Sequence, residues 1–590
     1  MPGKAIRKWI AAAACAVISS VHILPLQAED LPVSVAFTDP GKLDGEADDT
    51  FRTLFMWRND KACLRLKVRA EEDTDLHLRT EFDDGTLQAA VYVLEPVSAS
   101  LGMGTPDAFP HVDVPDRMVE TQELHLRAGT DAWIVVEVCT GEDTPAGPHE
   151  AFIHFDSDSG SSSSRFQVNV CRMLVPEERM SLDLWQYPWS SYYYYDALQG
   201  KEPFGEEHLS VLRKEMELYR SLGGNTVTVS IIDEPWSHQT YYDTPSLIAW
   251  NRDDNGYIWF DFTYFDRWVE LCEECGIDGR IESFSILPFA NVLYIHLPDG
   301  STERLTPEPG SYQWNSVWTL FLQKYTEHLK EKGWLDRAYM FIDERNEQDM
   351  RLAAELIRSC VDENGNGLKL SCALNKLPSD TGLLEMMDYV SFSVAALPEA
   401  GDPFYDTVHR LQENGTEATA YNCSTVYPNA FAVSEPEESL WTMAYIRSLG
   451  LDGYLRWAFN AWTADPLHSF DFQNFEAGDT YLIYPDERDS TDPVPSRSYR
   501  LFMIEEGMRR AAKYDWLLEN AVHPSIRRFL EQESAVQRTS SGKWNAWGMV
   551  TGTDSDRQLI TSEVHRMDSV LNQASYLQDL VSAFRTLIGG

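Results

Sequence analysis

Two places along the chain set an aspartate directly before a glutamate at the end of an apolar run: Asp233-Glu234 after "NTVTVSII", and Asp343-Glu344 after "RAYMFI". Paired carboxylates can divide acid–base work when their surroundings push the two pKa values apart, one staying ionised while the other carries a proton. Ala338 to Ile342 form a continuous apolar stretch, as expected of a parallel strand covered on both faces. A carboxylate inside such a strand would be costly to bury. At its carboxyl end the backbone turns into a loop, so consecutive side chains need not point to opposite faces, and Asp343 and Glu344 can reach one pocket. A plainer reading of the same residues is a helix cap beside a solvated acid. Composition does not choose between the two pairs.

The elements that would position these acids are legible in the periodicity. From about Leu182, apolar strand runs alternate with helical stretches of 3.6 period. The strands are "LDLWQYP", "NTVTVSII", "GRIESFSIL", "RAYMFIDE", "LKLSCAL", "MDYVSFSV", "TEATAYNC" and "DGYLRWAF". Eight strands with intervening helices predict a (β/α)8 TIM-type barrel over residues 177–520, with only a short helical connection before the sixth strand. Between residues 29 and 176, short period-two segments such as "CLRLKVRA", "AAVYVLEPV" and "RFQVNVCRMLV" predict an antiparallel β-sandwich. Residues 521–590 read as a C-terminal helical segment.

In such a barrel the site lies at the carboxyl ends of the strands. Those ends collect Trp185, Tyr187 and Trp189, then Asp233, Glu234 and Trp236, then Asp343, Glu344 and Arg345. Tyr421 and Tyr427 follow the seventh strand, and Arg456, Trp457, Asn460 and Trp462 the eighth. Flat aromatic faces stack on the C–H faces of sugar rings, while carboxylates, amides and arginine bind hydroxyls. No P-loop or dinucleotide fingerprint is present. The mixture fits a carbohydrate better than a phosphate or nucleotide.

Conventional glycosidase carboxylates come from separate strands, about 5–5.5 Å apart for retention or roughly 6.5–9.5 Å for inversion. Adjacent acids suit substrate-assisted hydrolysis instead. There the sugar's own 2-acetamido oxygen attacks the anomeric carbon, one carboxylate stabilises the oxazolinium and its neighbour protonates the leaving oxygen.

Lys4, Arg7 and Lys8 before the apolar "WIAAAACAVISSVHILPL" predict a secretory signal over residues 1–28, hence a secreted or periplasmic mature chain. Cys15 within it is a weaker candidate for a lipoprotein attachment site. Removing the leader takes the formal charge from −44 to −47, a surface that repels nucleic acid and anionic membranes. No later stretch is long and apolar enough to span a bilayer. The remaining cysteines are too sparse for a disulfide scaffold. Cys272-x-x-Cys275 lies on the apolar stripe of an amphipathic helix, so core packing is expected there, and no metal or cofactor.

The motifs "LDLWQYP", "PWSHQTYYD", "HLKEKGW", "IDER", "YPNAF", "GLDGYLRWAFNAWTADPLH" and "AGDTYLIYP", spread over roughly residues 182–518, resemble glycoside hydrolase family 123. The resemblance implies an exo-acting β-N-acetylgalactosaminidase with a sandwich and a barrel, acting on glycans or glycolipids. It implies that Asp343 orients the acetamido group and that Glu344 is the general acid, then the base. It also decides between the two pairs, since the family carries His-Asp before Pro-Trp where this chain has Asp233-Glu234. A second departure is Asn422-Cys423-Ser424, where relatives carry Thr-Cys-Cys. Tyr421, Trp457, Asn460 and Trp462 are expected around the sugar, with Trp236 and Tyr427 as further candidates. Action on another sugar, such as a β-N-acetylglucosaminide or a plain galactoside, and glycan binding without catalysis are the competing readings.

Overall fold

Eight short, deeply buried strands form one parallel sheet: Ser181–Leu184, Thr226–Ser230, Arg280–Phe284, Ala338–Asp343, Lys369–Leu374, Tyr389–Ser393, Glu417–Tyr421 and Gly453–Arg456. They are the eight runs read from the sequence, and each lies beside its chain neighbour. The computed structural model describes residues 33–45, 52–102, 109–177, 180–379, 381–473, 475–540, 546–547 and 552–589. The expected signal and Cys15 fall outside these residues.

The first strand pairs with the eighth from Ser181↔Gly453 to Leu184↔Arg456. It meets the second through a bridge at Leu182↔Gly224 and through Gln186, which exchanges hydrogen bonds of 2.9 and 3.0 Å with Thr228. A Cβ on Gly224 would come within 2.1 Å of the Tyr219 ring, so only glycine fits the bridge. The result is a barrel-like sheet wrapped by helices at Glu206–Ser221, Thr263–Glu274, Tyr312–Lys332, Glu347–Ser359, Asp402–Glu413, Glu437–Ser448 and Tyr499–Asn520. The fifth and sixth strands are joined only by the 3-10 turn Thr381–Met386, the short link that the sequence indicated. Leu212, Met216 and Tyr219, at helical spacing, supply the inward face of Glu206–Ser221.

Among the described residues ten strands precede the barrel: β1 (Val33–Thr38), β2 (Arg52–Arg58), β3 (Lys61–Ala70), β4 (Thr74–Phe82), β5 (Leu87–Ser100), β6 (His111–Glu120), β7 (Glu123–Leu126), β8 (Asp131–Thr140), β9 (Gly147–Ser157) and β10 (Gly160–Leu174). They form two five-stranded sheets, β1-β3-β8-β5-β6 and β2-β10-β9-β4-β7. Leu66, Val68, Leu78, Ile134, Ile153, Phe155 and Val168 fill the space between them. The pairing is antiparallel except for β2, which lies parallel to β10. β2 and β3 are joined by a tight turn with Asn59 at φ +54 yet belong to opposite sheets, so β2 reaches an edge from the other side.

The outer face of the first sheet is also covered. Val97, Val114, Met118 and Trp133 belong to the barrel's core cluster, and Arg500–Asp116 (3.0 Å), from the helix Tyr499–Asn520, and Arg497–Glu137 (2.8 Å), from the residues just before it, fasten the sandwich in place. Helices Pro524–Ser540 and Asp554–Gly589 pack with Tyr514 and Leu517 of that helix against Trp57, Met173 and Val175 of the sandwich. Among the described residues no helix is long and apolar enough to cross a membrane. Cys272 is buried in the core and Cys275 ends the same helix as its half-buried cap.

Candidate active site

Asp343 is the last residue of the fourth strand, and Glu344 follows it in the left-handed region at φ +48. Few non-glycine residues adopt that conformation, and such strain gathers at functional sites. Here it breaks the strand's alternation, so that both acids face the carboxyl end of the barrel. The Glu344 N–H donates to Ala373 O at 3.1 Å and fixes the turn. Neither acid caps the following helix, because Asn346 does so, accepting from the Asp349 N–H.

The two carboxylates have unequal surroundings. Glu344 accepts from the Tyr421 hydroxyl and, at 3.0 Å, from the Asn375 side-chain amide. Among the described residues Asp343 has no comparable donor, since the Trp236 indole N–H approaches it without completing a hydrogen bond. Beneath them lies an aromatic floor. Trp185 packs on Phe284 (4.5 Å), Phe341 (5.1 Å) and Trp236 (5.9 Å), and Tyr187 and Trp457 continue the wall. Burial against these rings pushes the Asp343 carboxyl well above its ordinary range; the neighbouring Glu344 charge adds to this and Arg345 opposes it. Burial raises Glu344 as well, while its two donors hold it down. Two acids this close, both displaced upward, keep one proton between them over a span of pH. With these donors alone the charge rests on Glu344 and the proton on Asp343.

The other pair is spent on its own loop. Asp233 accepts from Ser246 N–H at 2.7 Å, and Glu234 accepts from Thr244 N–H at 2.6 Å and His238 N–H at 3.2 Å. Glu234, His238 and Asp243 are also the one group among the described residues whose donor atoms could gather a metal ion, within 4.8 Å of one another. Both Glu234 oxygens are already engaged by main-chain N–H groups.

Of the residues expected around a sugar, Tyr421, Trp236 and Trp457 share one cluster with the aromatic floor. Asn460, Trp462 and Tyr427 do not join them. Asn460 is 0% exposed and uses both ends of its amide, accepting from Tyr187 N–H and donating to Glu215 at 2.7 Å each. Trp462 is buried against Tyr194 and Tyr195, its N–H donating to Ile483 O at 2.8 Å. Tyr427 is buried in the large core, where Gly552 of the C-terminal segment lies against its ring. Position just past a strand does not say which way a side chain points, and these three residues turn away from the cleft. Asn460 instead supports it by fixing the backbone of Tyr187, whose hydroxyl donates to Trp457 O at 2.9 Å. Asn375 was missed, although it is the first polar residue beyond "LKLSCAL", the same signal that marked Asp343.

With this geometry in view, the family model "Glycoside hydrolase 123, catalytic domain" matches residues 185–517, more than half of the chain. The chain belongs to glycoside hydrolase family 123. Family 123 membership makes it a glycoside hydrolase. It is similar to the solved structure of a family 123 glycoside hydrolase from Clostridium perfringens, at 24% identity and a TM-score of 0.85, over 93% of this chain and 100% of that one. The likeness supports a shared fold of sandwich and barrel-like sheet. A β-glucuronidase from Parabacteroides merdae overlaps 82% of this chain and 52% of its own at 9% identity, with a TM-score of 0.28, too low to define a common fold. No curated protein matches the chain.

Proposed function

We propose that this family 123 enzyme is a retaining, exo-acting β-N-acetylgalactosaminidase that uses the substrate's own acetamido group as nucleophile. The observation that carries the reading is the unequal supply of donors to adjacent acids: Glu344 has two, and Asp343 lacks one. A 2-acetamido N–H set against Asp343 supplies that missing donor. It draws the negative charge to Asp343 and the shared proton to Glu344, the distribution that catalysis needs. The acetamido oxygen then attacks the anomeric carbon as the glycosidic C–O bond breaks, and Glu344 gives its proton to the leaving oxygen. Asp343 holds the charged oxazolinium through its N–H. Glu344, now ionised, takes a proton from water as that water opens the ring, restoring the starting anomeric configuration. The aromatic floor keeps water from the pair and receives the acetamido methyl.

Several finer points belong to the same proposal. The eight strands close as a (β/α)8 barrel over residues 177–520, served by a sandwich at 29–176 and a helical segment at 521–590, and the chain is exported after loss of residues 1–28. The Clostridium perfringens relative is described as hydrolysing glycolipid glycans, so a glycan or glycolipid ending in β-N-acetylgalactosamine is the substrate class to try first.

Purified protein is incubated with an aryl β-N-acetylgalactosaminide and with its gluco and 2-hydroxy counterparts. Release from the first, strong inhibition by a thiazoline mimic of the oxazoline, and a loss of about 10²–10⁴ in kcat for Glu344→Gln are expected. Undiminished turnover in Glu344→Gln, or equal turnover without the acetamido group, rejects the mechanism.

A further inference from the structure

A line of aromatic rings leads out of the site. Phe475 packs on Trp457 at 5.3 Å, Phe472 lies parallel to Phe475 at 6.2 Å with 9° between their planes, and Tyr241 meets Phe472 edge-on at 5.9 Å. Trp457 is nearly buried, Phe475 and Phe472 are half-buried, and Tyr241 is 46% exposed. The line therefore runs from the floor beneath the acids to the rim. It is built from two loops on the carboxyl side of the barrel, residues 232–248 after the second strand and 463–480 after the eighth. The Gln473 side chain donates to His238 O at 3.5 Å and ties these loops together. Tyr242, next to Tyr241, is braced by stacking on Tyr193 at 5.8 Å and by Arg488, which donates to its hydroxyl at 3.4 Å.

We propose that this line is a leaving-group subsite, which holds the sugars that follow the cleaved residue in a longer glycan. The inference rests on the exo-glycosidase reading above. The inner end of the site is closed by buried rings, so the rest of a substrate chain has only the outward direction. The exposed Tyr241 and the half-buried Phe472 offer apolar ring surface along that path for the C–H faces of successive sugars. The polar side chains beside them are those a glycan needs for its hydroxyls. His238, Asp243 and Gln473 are all exposed along the rim. A lipid chain would be served poorly by such interruption.

The test compares kcat/KM on a trisaccharide ending in β-N-acetylgalactosamine with kcat/KM on the aryl glycoside, in Tyr241→Ala, Phe472→Leu and the double variant. Tyr241 is an exposed side chain, and Phe472→Leu keeps apolar packing while removing the flat face. The ratio of trisaccharide to aryl kcat/KM is expected to fall about five- to ten-fold per ring, chiefly through KM. An unchanged ratio overturns the proposal. A fall seen only when the trisaccharide carries a lipid assigns the rings to the lipid instead and overturns it too. Wild-type protein that leaves the aryl glycoside intact would sink the parent reading, an outcome separate from these.

Discussion

Replacing Tyr421 with Phe removes one hydroxyl and leaves the ring that lines the cleft. That hydroxyl donates to Glu344, and burial keeps Tyr421 protonated far above its ordinary pKa, so it is a neutral donor at every working pH. A hydrogen bond to a charged group is worth about 1.5–3 kcal/mol. At 1.36 kcal/mol per pKa unit this corresponds to about one to two units. A donor to the carboxylate favours its ionised form and lowers the pKa, so its loss raises the pKa values of the pair. Both limbs of the bell-shaped kcat/KM profile belong to the coupled acids rather than to either one. The two pKa values of the pair are therefore expected to rise by about one to two units in total in Tyr421→Phe, and mainly on the acid limb, because Glu344 takes the first ionisation in the free enzyme. The assay is the pH dependence of kcat/KM on the aryl glycoside, with a thermal melt to verify folding. An acid limb that stays in place or moves to lower pH would refute the claim that Tyr421 stabilises an ionised Glu344 in the free enzyme.

Asp233→Asn is expected to disturb the 233–246 loop through its lost carboxylate contact to Ser246 N–H while leaving kcat within about ten-fold of wild type, far from the Glu344→Gln defect; steady-state kinetics on the aryl glycoside separates the two. Glu215, buried beside Ser191 and Asn460, has its pKa pushed up by burial to about 7 from 4.5. A raised carboxyl pKa stabilises the fold fully below the unfolded value and loses that contribution as pH climbs through 7. Glu215→Gln keeps a partner for both neighbours without the ionisation, so it should remove about 2–3 kcal/mol of the decline in stability between pH 5 and 8, read by urea denaturation at each pH.

Much of the architecture was local enough to read. Largely apolar runs such as "AYMFI" and "KLSCAL" read as strands covered on both faces, and the rule that chemistry gathers at their carboxyl ends placed Asp343, Glu344, Tyr421 and Trp457 in one neighbourhood. The same rule failed beyond Trp457, because side-chain direction after a strand depends on how the chain leaves it. Asn460 and Trp462 are packed outward, and Asn460 braces Tyr187 from behind. The parallel placement of β2 was equally hidden, since strand pairing follows from which sheet edge is open.

By itself the sequence determined the eight strands, the sandwich ahead of them and the short list of acids, because periodicity and composition are properties of consecutive residues. It left two Asp-Glu pairs alike, and only likeness to a family told them apart. Tertiary structure separates them physically. One oxygen of Asp233 and both of Glu234 are taken by main-chain N–H groups within 13 residues of the pair. Glu344 is met by Asn375, 31 residues away, and by Tyr421, 77 residues away, each delivered by a different strand of the barrel. Proton placement between two adjacent acids depends on which donors reach each of them, and here the donors come from strands distant in sequence.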